Sequence, residues 1–248
     1  MLSLGASALG LPALAFAGSG GASLTGGSSS SSSRSGGAKG NLPGHVRSGN
    51  VTVSASGSGI SLVTHASAML GNQMRFTGSL ASSAAGKIVE IERQGHQTGR
   101  TWQPTAHGTK ASDGSFAAVW NVSHIGQFRI RAVIENTPGV RPHGAAMSPS
   151  LTVTVYRPSL ATQYGPGFYG QKTACGQTLR GHTIGVANRT LPCGTPVAVY
   201  YRGRTLIVPV IDRGPYANGA DWDLTEAAGQ ALGIAGTAKI GAVSLPGK

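Results

Sequence analysis

The chain has 248 residues, enough for one large domain or two of about 100 residues. Charged residues make up only 11% and Gly numbers 39, which excludes a coiled coil or a charged helical bundle and points to β-structure with many tight turns. Lys and Arg number 20 against 8 Asp and Glu, a net charge of +12, but the cations are spread singly with no zinc-finger or RNA-recognition pattern, so the surplus fits a basic exported protein better than a nucleic-acid binder.

Residues 1–17, MLSLGASALGLPALAFA, form a short apolar run ending in Ala15-Phe16-Ala17, an A-x-A cleavage pattern, and are expected to be a signal peptide. No Cys stands near that point, so no lipoprotein anchor is expected. Residues 18–50 carry an unbroken serine run from Ser28 to Ser33 flanked by Gly pairs. Such a segment buries too little apolar surface to offset its ordering entropy, and it is expected to be a disordered tether with a reach of roughly 30 Å. No later stretch approaches the ~20 apolar residues of a membrane span. The mature protein is therefore expected in the cell wall or periplasm, secreted and monomeric.

From 51 to 156, runs of period two alternate with turn residues. Val51-Thr52-Val53, residues 74–78, 87–91, 115–120, 127–133 and 151–155 are the expected strands, with Asp113-Gly114 as a turn before one of them. Phe128, Ile130 and Ala132 alternate with Gln127, Arg129 and Arg131, so one face is buried and one wet. Trp120 is expected in the core of a β-sandwich. The pattern Gly-x-Phe, Trp, then Gly-x-Phe-Arg-Ile-Arg-Ala resembles bacterial immunoglobulin-like modules of exported proteins. His65, His96, His107, His124 and His143 show no metal-ligand spacing and are expected at surfaces or turns.

Arg157-Pro158 marks a shift in composition and an expected hinge. Beyond it, residues 159–248 hold four of the eight acidic residues, all between Asp212 and Glu226. Carboxyl groups clustered in this way suit glycoside chemistry, where they flank the scissile bond. Asp212 follows an apolar strand at 206–211 and opens Asp212-Arg213-Gly214-Pro215, which is also good turn chemistry. Asp223 is either a second site carboxylate or the cap of a helix at 227–232, because Asp223-x-x-Glu226 fits a capping box. A last strand is expected over 239–245. Cys175 and Cys193 are the only cysteines, and an even count in an exported chain favours a disulfide over paired zinc ligands.

Several motifs then fall in order: Tyr164-Gly165-Pro166-Gly167-Phe168-Tyr169-Gly170, Thr190-Leu191-Pro192-Cys193-Gly194-Thr195, Asp212-Arg213-Gly214-Pro215 and Trp222-Asp223-Leu224-Thr225. Together they resemble the rare lipoprotein A (RlpA) family of septal-ring lytic transglycosylases over about 85 residues, 161 to 245. The resemblance implies an all-β protein. Its C-terminal part is a six-stranded double-psi β-barrel with one short helix, similar to those of expansins, and an immunoglobulin-like sandwich precedes it. It implies cleavage of peptidoglycan glycan strands between N-acetylmuramic acid and N-acetylglucosamine with a 1,6-anhydro product, and no cofactor or metal. Asp212 takes the place of the family's acid/base aspartate and Asp223 that of the aspartate before Leu-Ser.

One position departs from the family: Asn188 stands where His is usual, and Asn cannot titrate near neutrality. Asn188 can still hydrogen-bond a sugar hydroxyl, beside Tyr164, Arg213, Tyr216 and Trp222 as substrate-binding candidates. Arg213 is expected to point away from the Asp212 carboxyl. The aromatics, with Phe168 and Tyr169, offer either stacking faces for sugar rings or barrel core. The departure at Asn188 leaves open an expansin-like module that binds wall glycan without cutting it.

Overall fold

A computed structural model describes residues 44–81, 87–110, 112–216 and 219–245. The signal peptide expected over 1–17 and the tether through residue 43 lie outside the described residues. Among the described residues no helix is long and apolar enough to cross a membrane.

A two-residue strand, β1 (Arg47–Ser48), comes first. The next strands are β2 (Thr52–Gly57), β3 (Ile60–His65), β4 (Ser67–Met69), β5 (Gln73–Leu80), β6 (Ile88–Gln94), β7 (Gln103–Lys110), β8 (Ser115–Asn121) and β9 (Gly126–Glu135). The long β10 (Leu151–Tyr164) follows, then β11 (Val186–Ala187), β12 (Pro196–Tyr201), β13 (Arg204–Asp212) and β14 (Trp222–Thr225). The helix α1 (Glu226–Leu232) and β15 (Ala238–Ser244) complete the order.

Strands β2, β3, β5 and β8 form one sheet, and β4, β10, β9, β6 and β7 form a second; β7 joins them by pairing with β8 at its last two residues. Their facing side chains make one core, in which Leu62, Phe76, Ile91, Phe128, Ile130 and Val153 are buried. Trp120 lies in that core, edge-on to Phe128 at 5.6 Å between centroids. Strand β7 was not expected, because Gln103-Pro104 and Gly108 give it poor strand propensity; its pairing on both sides holds it extended.

The second half is a closed ring of six strands in the order β10, β14, β11, β13, β12, β15 and back to β10. Two of the six contacts, β10 with β14 and β11 with β13, are parallel and the rest antiparallel. This mixed, closed topology is a double-psi β-barrel. Val186, Val197, Leu206, Val208, Val210, Leu224 and Ile240 fill its interior and α1 closes one side with Ala228 and Leu232.

Two expectations are corrected. Arg157-Pro158 is no hinge: β10 runs straight through it, pairing with β9 up to Val155 and with β15 from Arg157 onward. Tyr156, Ala198 and Val243 form an apolar seam at this junction, with Tyr156 and Tyr200 rings 5.5 Å apart. Gly241 fits this close approach, since a Cβ there would sit 2.8 Å from Tyr156 Cβ. The tether expected through residue 50 also ends earlier, because Arg47 and Ser48 pair with Thr205 and Arg204 of β13. The Tyr200 hydroxyl donates to Asn50 Oδ1 at 2.7 Å and strengthens this contact.

Candidate active site

Asp212 is the last residue of β13 and Asp223 the second of β14, and both strands pair with β11 between them. The register sets Asp212 and Asp223 on either side of Ala187. Two inter-strand steps put their Cα atoms about 10 Å apart. Thr162 of β10 pairs with Asp223 on its other side, and its hydroxyl donates to Asp223 Oδ1 at 2.8 Å. Tyr164 ends β10 two residues further on, opposite Thr225.

Asp223 does not cap the helix. It lies on a strand, and α1 begins at Glu226 with Thr225 as its N-cap, whose hydroxyl accepts from Ala228 N at 3.3 Å. Freed from that duty, its half-buried carboxyl is pushed above the ordinary aspartate range, first by burial and further by the charge of Asp212; the Thr162 hydroxyl works against the rise.

Asp212 Oδ1 accepts two backbone N–H bonds, from Ala174 at 2.9 Å and Arg213 at 2.8 Å. The Ala174 bond depends on the opening loop, which is fastened by the Cys175–Cys193 disulfide, Cα–Cα 5.7 Å, and by Cys175 N donating to Ile211 O at 3.3 Å. The sequence argument for this disulfide thus holds.

Arg213 turns its guanidinium from the Asp212 carboxylate. It donates to the carbonyls of Asn188 at 3.3 Å and Asp212 at 3.4 Å and approaches Cys193 Sγ at 3.4 Å. Asn188 Oδ1 is engaged in its own turn, accepting from Thr190 N at 3.1 Å and Leu191 N at 2.9 Å. The oxygen that could greet a sugar hydroxyl is thus committed to the Thr190-Leu191-Pro192 turn.

Tyr164 is the most telling neighbour. Its hydroxyl is buried and has no hydrogen-bond partner among the described residues. Burial, and then the charges of Asp212 and Asp223, push the phenol well above its ordinary range, so it stays neutral near the two carboxylates. Thr173 Oγ1, one residue before the N–H that holds Asp212, is likewise buried and unpartnered. Two orphaned hydroxyls beside two carboxylates are groups that water or a polyhydroxylated ligand would satisfy.

The aromatic candidates divide. Trp222 packs half-buried against the barrel core, while Phe168 and Tyr216 are 54% and 79% exposed. No hydrogen bond or ring contact ties Tyr216 to the carboxylates among the described residues. Phe168 stands edge-on to Tyr164 at 6.3 Å.

Sequence reasoning missed several supports. Arg189 donates to the carbonyls of Pro215 and Ala220 at 2.6 Å each and ties down the segment after Asp212. The Tyr169 hydroxyl donates to Glu226, and Gly165 has no Cβ because one would lie 2.9 Å from Glu226 Cβ. Thr162 lies 61 positions from Asp223, so no local pattern could have joined them.

Residues 161–244 match the family model described as lytic transglycolase. Over these residues the fold is a double-psi β-barrel and the sequence is similar to that of RlpA proteins. Its relatives include the protein named "Probable endolytic peptidoglycan transglycosylase RlpA" of Synechocystis sp., 38% identical over 87 residues, covering 34% of this chain and 27% of the relative. The protein of the same name in Aquifex aeolicus is 45% identical over 76 residues, covering 30% of this chain and 34% of the relative. The chain thus spans about a third or less of the curated relatives it matches. Among solved structures, Streptomyces papain inhibitor aligns with 28% identity and a TM-score of 0.30, covering 36% of this chain and 93% of the inhibitor.

Proposed function

We propose that the barrel is a lytic transglycosylase that cleaves peptidoglycan glycan strands outside the cytoplasm. The names of the relatives support the substrate. The observation that carries the chemistry is the pair of carboxylates bracketing Ala187, with Asp223 on a strand, raised by burial, and unneeded as a cap.

The family resemblance alone puts the acid at Asp212. The local chemistry favours a division of labour. Asp223 is the carboxyl whose surroundings favour the protonated form, so it protonates the glycosidic oxygen as the C1–O bond breaks. Asp212 accepts the proton of the muramoyl C6 hydroxyl as the new C1–O6 bond forms. The proton count is unchanged, no water enters, and the product carries a 1,6-anhydro ring. Tyr164, neutral, buried and without a partner of its own among the described residues, is available to donate to a substrate oxygen. Phe168 and Tyr216 offer exposed rings to sugar faces, and Trp222 supports the strand that carries Asp223.

A second function has one observation in its favour. Asn188, where the family has His, spends its side-chain oxygen on a turn. A barrel lacking that imidazole could bind glycan without cutting it. Incubation with purified sacculi and mass analysis of the soluble products separates the two. Anhydro ends are expected; sacculus binding with no soluble product would leave only the binding module. We further propose that the preceding sandwich is an immunoglobulin-like module that presents the barrel to the wall.

A further inference from the structure

The acidic residues of the sandwich make a second cluster, unrelated to the barrel. Glu90 and Glu92 alternate along β6 with the core residues Val89 and Ile91, so they face away from the core. His107 of β7 pairs directly with Glu90, and Glu135 lies at the end of β9 on the same face. The chain returning after β9 pairs along its edge, Ile134 N to Ala146 O at 3.0 Å and Ser148 N to Ala132 O at 2.9 Å, and the segment before this pairing lays Arg141 on the glutamates. The three glutamates are consequently at most 1% exposed.

Two arginines reach them. Glu92 accepts from Arg131 Nε at 2.7 Å and from Arg141 Nη2. Glu90 gives Oε1 to Arg141 Nη2 at 2.6 Å. Glu135 has no guanidinium hydrogen bond: its Oε2 accepts from Gly139 N at 3.0 Å, while its buried Oε1 lies 3.8 Å from Arg141 Nε and accepts none. If all three are ionised, three buried carboxylates against two guanidiniums leave one negative charge uncompensated, a costly arrangement that a proton or a bound cation relieves.

The orientation of the carboxylates shows where the missing cation belongs. Glu90 and Glu135 each turn Oε1 toward Arg141 and Oε2 toward His107 Nε2, at 3.5 Å and 4.0 Å respectively. All three candidate ligand atoms lie within 4.8 Å of one another. A tetrahedral zinc ion with bonds of about 2.0–2.2 Å holds its ligand atoms roughly 3.3–3.6 Å apart, so a small inward shift closes the triangle. His107 is half-exposed and provides the entry path.

We propose that Glu90, His107 and Glu135 form a binding site for a zinc-class divalent cation, with its fourth coordination position open to solvent. Arg141, itself held by Glu92, then orients Glu90 from behind and Gly139 N positions Glu135, as hydrogen-bonded outer partners do at metal sites. A divalent cation held there would supply the positive charge that the two guanidiniums leave missing.

The test uses the full, untagged chain after treatment with a chelator. Titration with Zn²⁺ is expected to show one saturable equivalent. At zinc about a hundredfold above Kd, the melting temperature is expected to rise by roughly 5–10 °C. His107→Ala should weaken binding at least tenfold and abolish the thermal shift. His107→Lys, which supplies a fixed cation, should match the unliganded melting temperature or exceed it and show no zinc response, which separates loss of the site from loss of the fold. Absence of saturable binding, or binding unchanged in His107→Ala, would overturn the proposal. So would a zinc-insensitive protein whose melting temperature rises on acidification only when His107 is present, since a proton would then be the missing charge.

Discussion

The two halves of the molecule use the same residue type in opposite ways. In the sandwich, Glu90, Glu92 and Glu135 are buried and engaged with Arg131, Arg141 and His107, and every ion pair among the described residues lies in this cluster. In the barrel, Asp212 and Asp223 form no ion pair among the described residues and are held by backbone N–H groups and a threonine hydroxyl. Arginine is within reach of Asp212 in the barrel too, but Arg213 is turned onto carbonyls. A carboxylate locked to a guanidinium is anchored and chemically quiet, whereas one held by neutral donors keeps an oxygen and a proton available.

The contrast is broken most severely at Asp212. Asp212→Asn keeps the shape and the acceptor for Ala174 N but removes a base. Turnover on sacculi should fall about 10²–10⁴-fold, with melting temperature and sacculus binding nearly unchanged. Full activity in this variant would remove Asp212 from the chemistry. The mirror experiment is Arg141→Met, which strips Glu90 and Glu92 of their shared partner. It should cost about 3–5 kcal/mol of stability, read by denaturant unfolding, while activity per folded molecule stays at the parent level.

A pH experiment sharpens the barrel side. Burial and the Asp212 charge raise the Asp223 carboxyl, and Thr162 lowers it. The stabilising contribution of a raised carboxyl is complete below the ordinary aspartate value and is lost as pH climbs through the folded value. Acid function is lost over the same climb. Thr162→Val removes the hydroxyl that favours the ionised form, so the alkaline limb of the activity profile should move to higher pH. A limb that stays put, or moves down, would detach Asp223 from the acid role.

These differences were only partly legible in the sequence. The Cys175–Cys193 link, the run into Asp212 and the alternation at Phe128, Ile130 and Ala132 are local signals, and each survives folding because the partner is fixed by count or by period. Asp223 stayed ambiguous because Asp-x-x-Glu is also a cap pattern, and the contact that distinguishes the two readings, Thr162, lies 61 positions away. Arg157-Pro158 misled for a related reason. Proline is a local breaker, yet here β9, β14 and β15 supply enough pairing on both sides of it to carry β10 through. The glutamate cluster was invisible to ligand spacing because its members come from three strands and meet only across the sheet.

The smallest effect tests that lesson at the helix start. Thr225 is 2% exposed, and its hydroxyl accepts from Ala228 N while exchanging hydrogen bonds with the N–H and carbonyl of Gly185 at 3.2 Å each. Thr225→Ala removes the cap and leaves the Gly185 N–H without its partner in a buried place. The cost should be about 1–2 kcal/mol, with part of the α1 signal lost from far-ultraviolet circular dichroism. Thr225→Ser keeps the oxygen and should recover most of that loss. Asp223→Ala should leave the helix signal intact, because its carboxylate faces Thr162 and touches no N–H of the first turn. If Asp223→Ala melted the helix and Thr225→Ala did not, the capping pattern would have been the correct guide. Asp223 would then return to a structural role, and the barrel's two-carboxylate contrast with the sandwich would reduce to Asp212 alone.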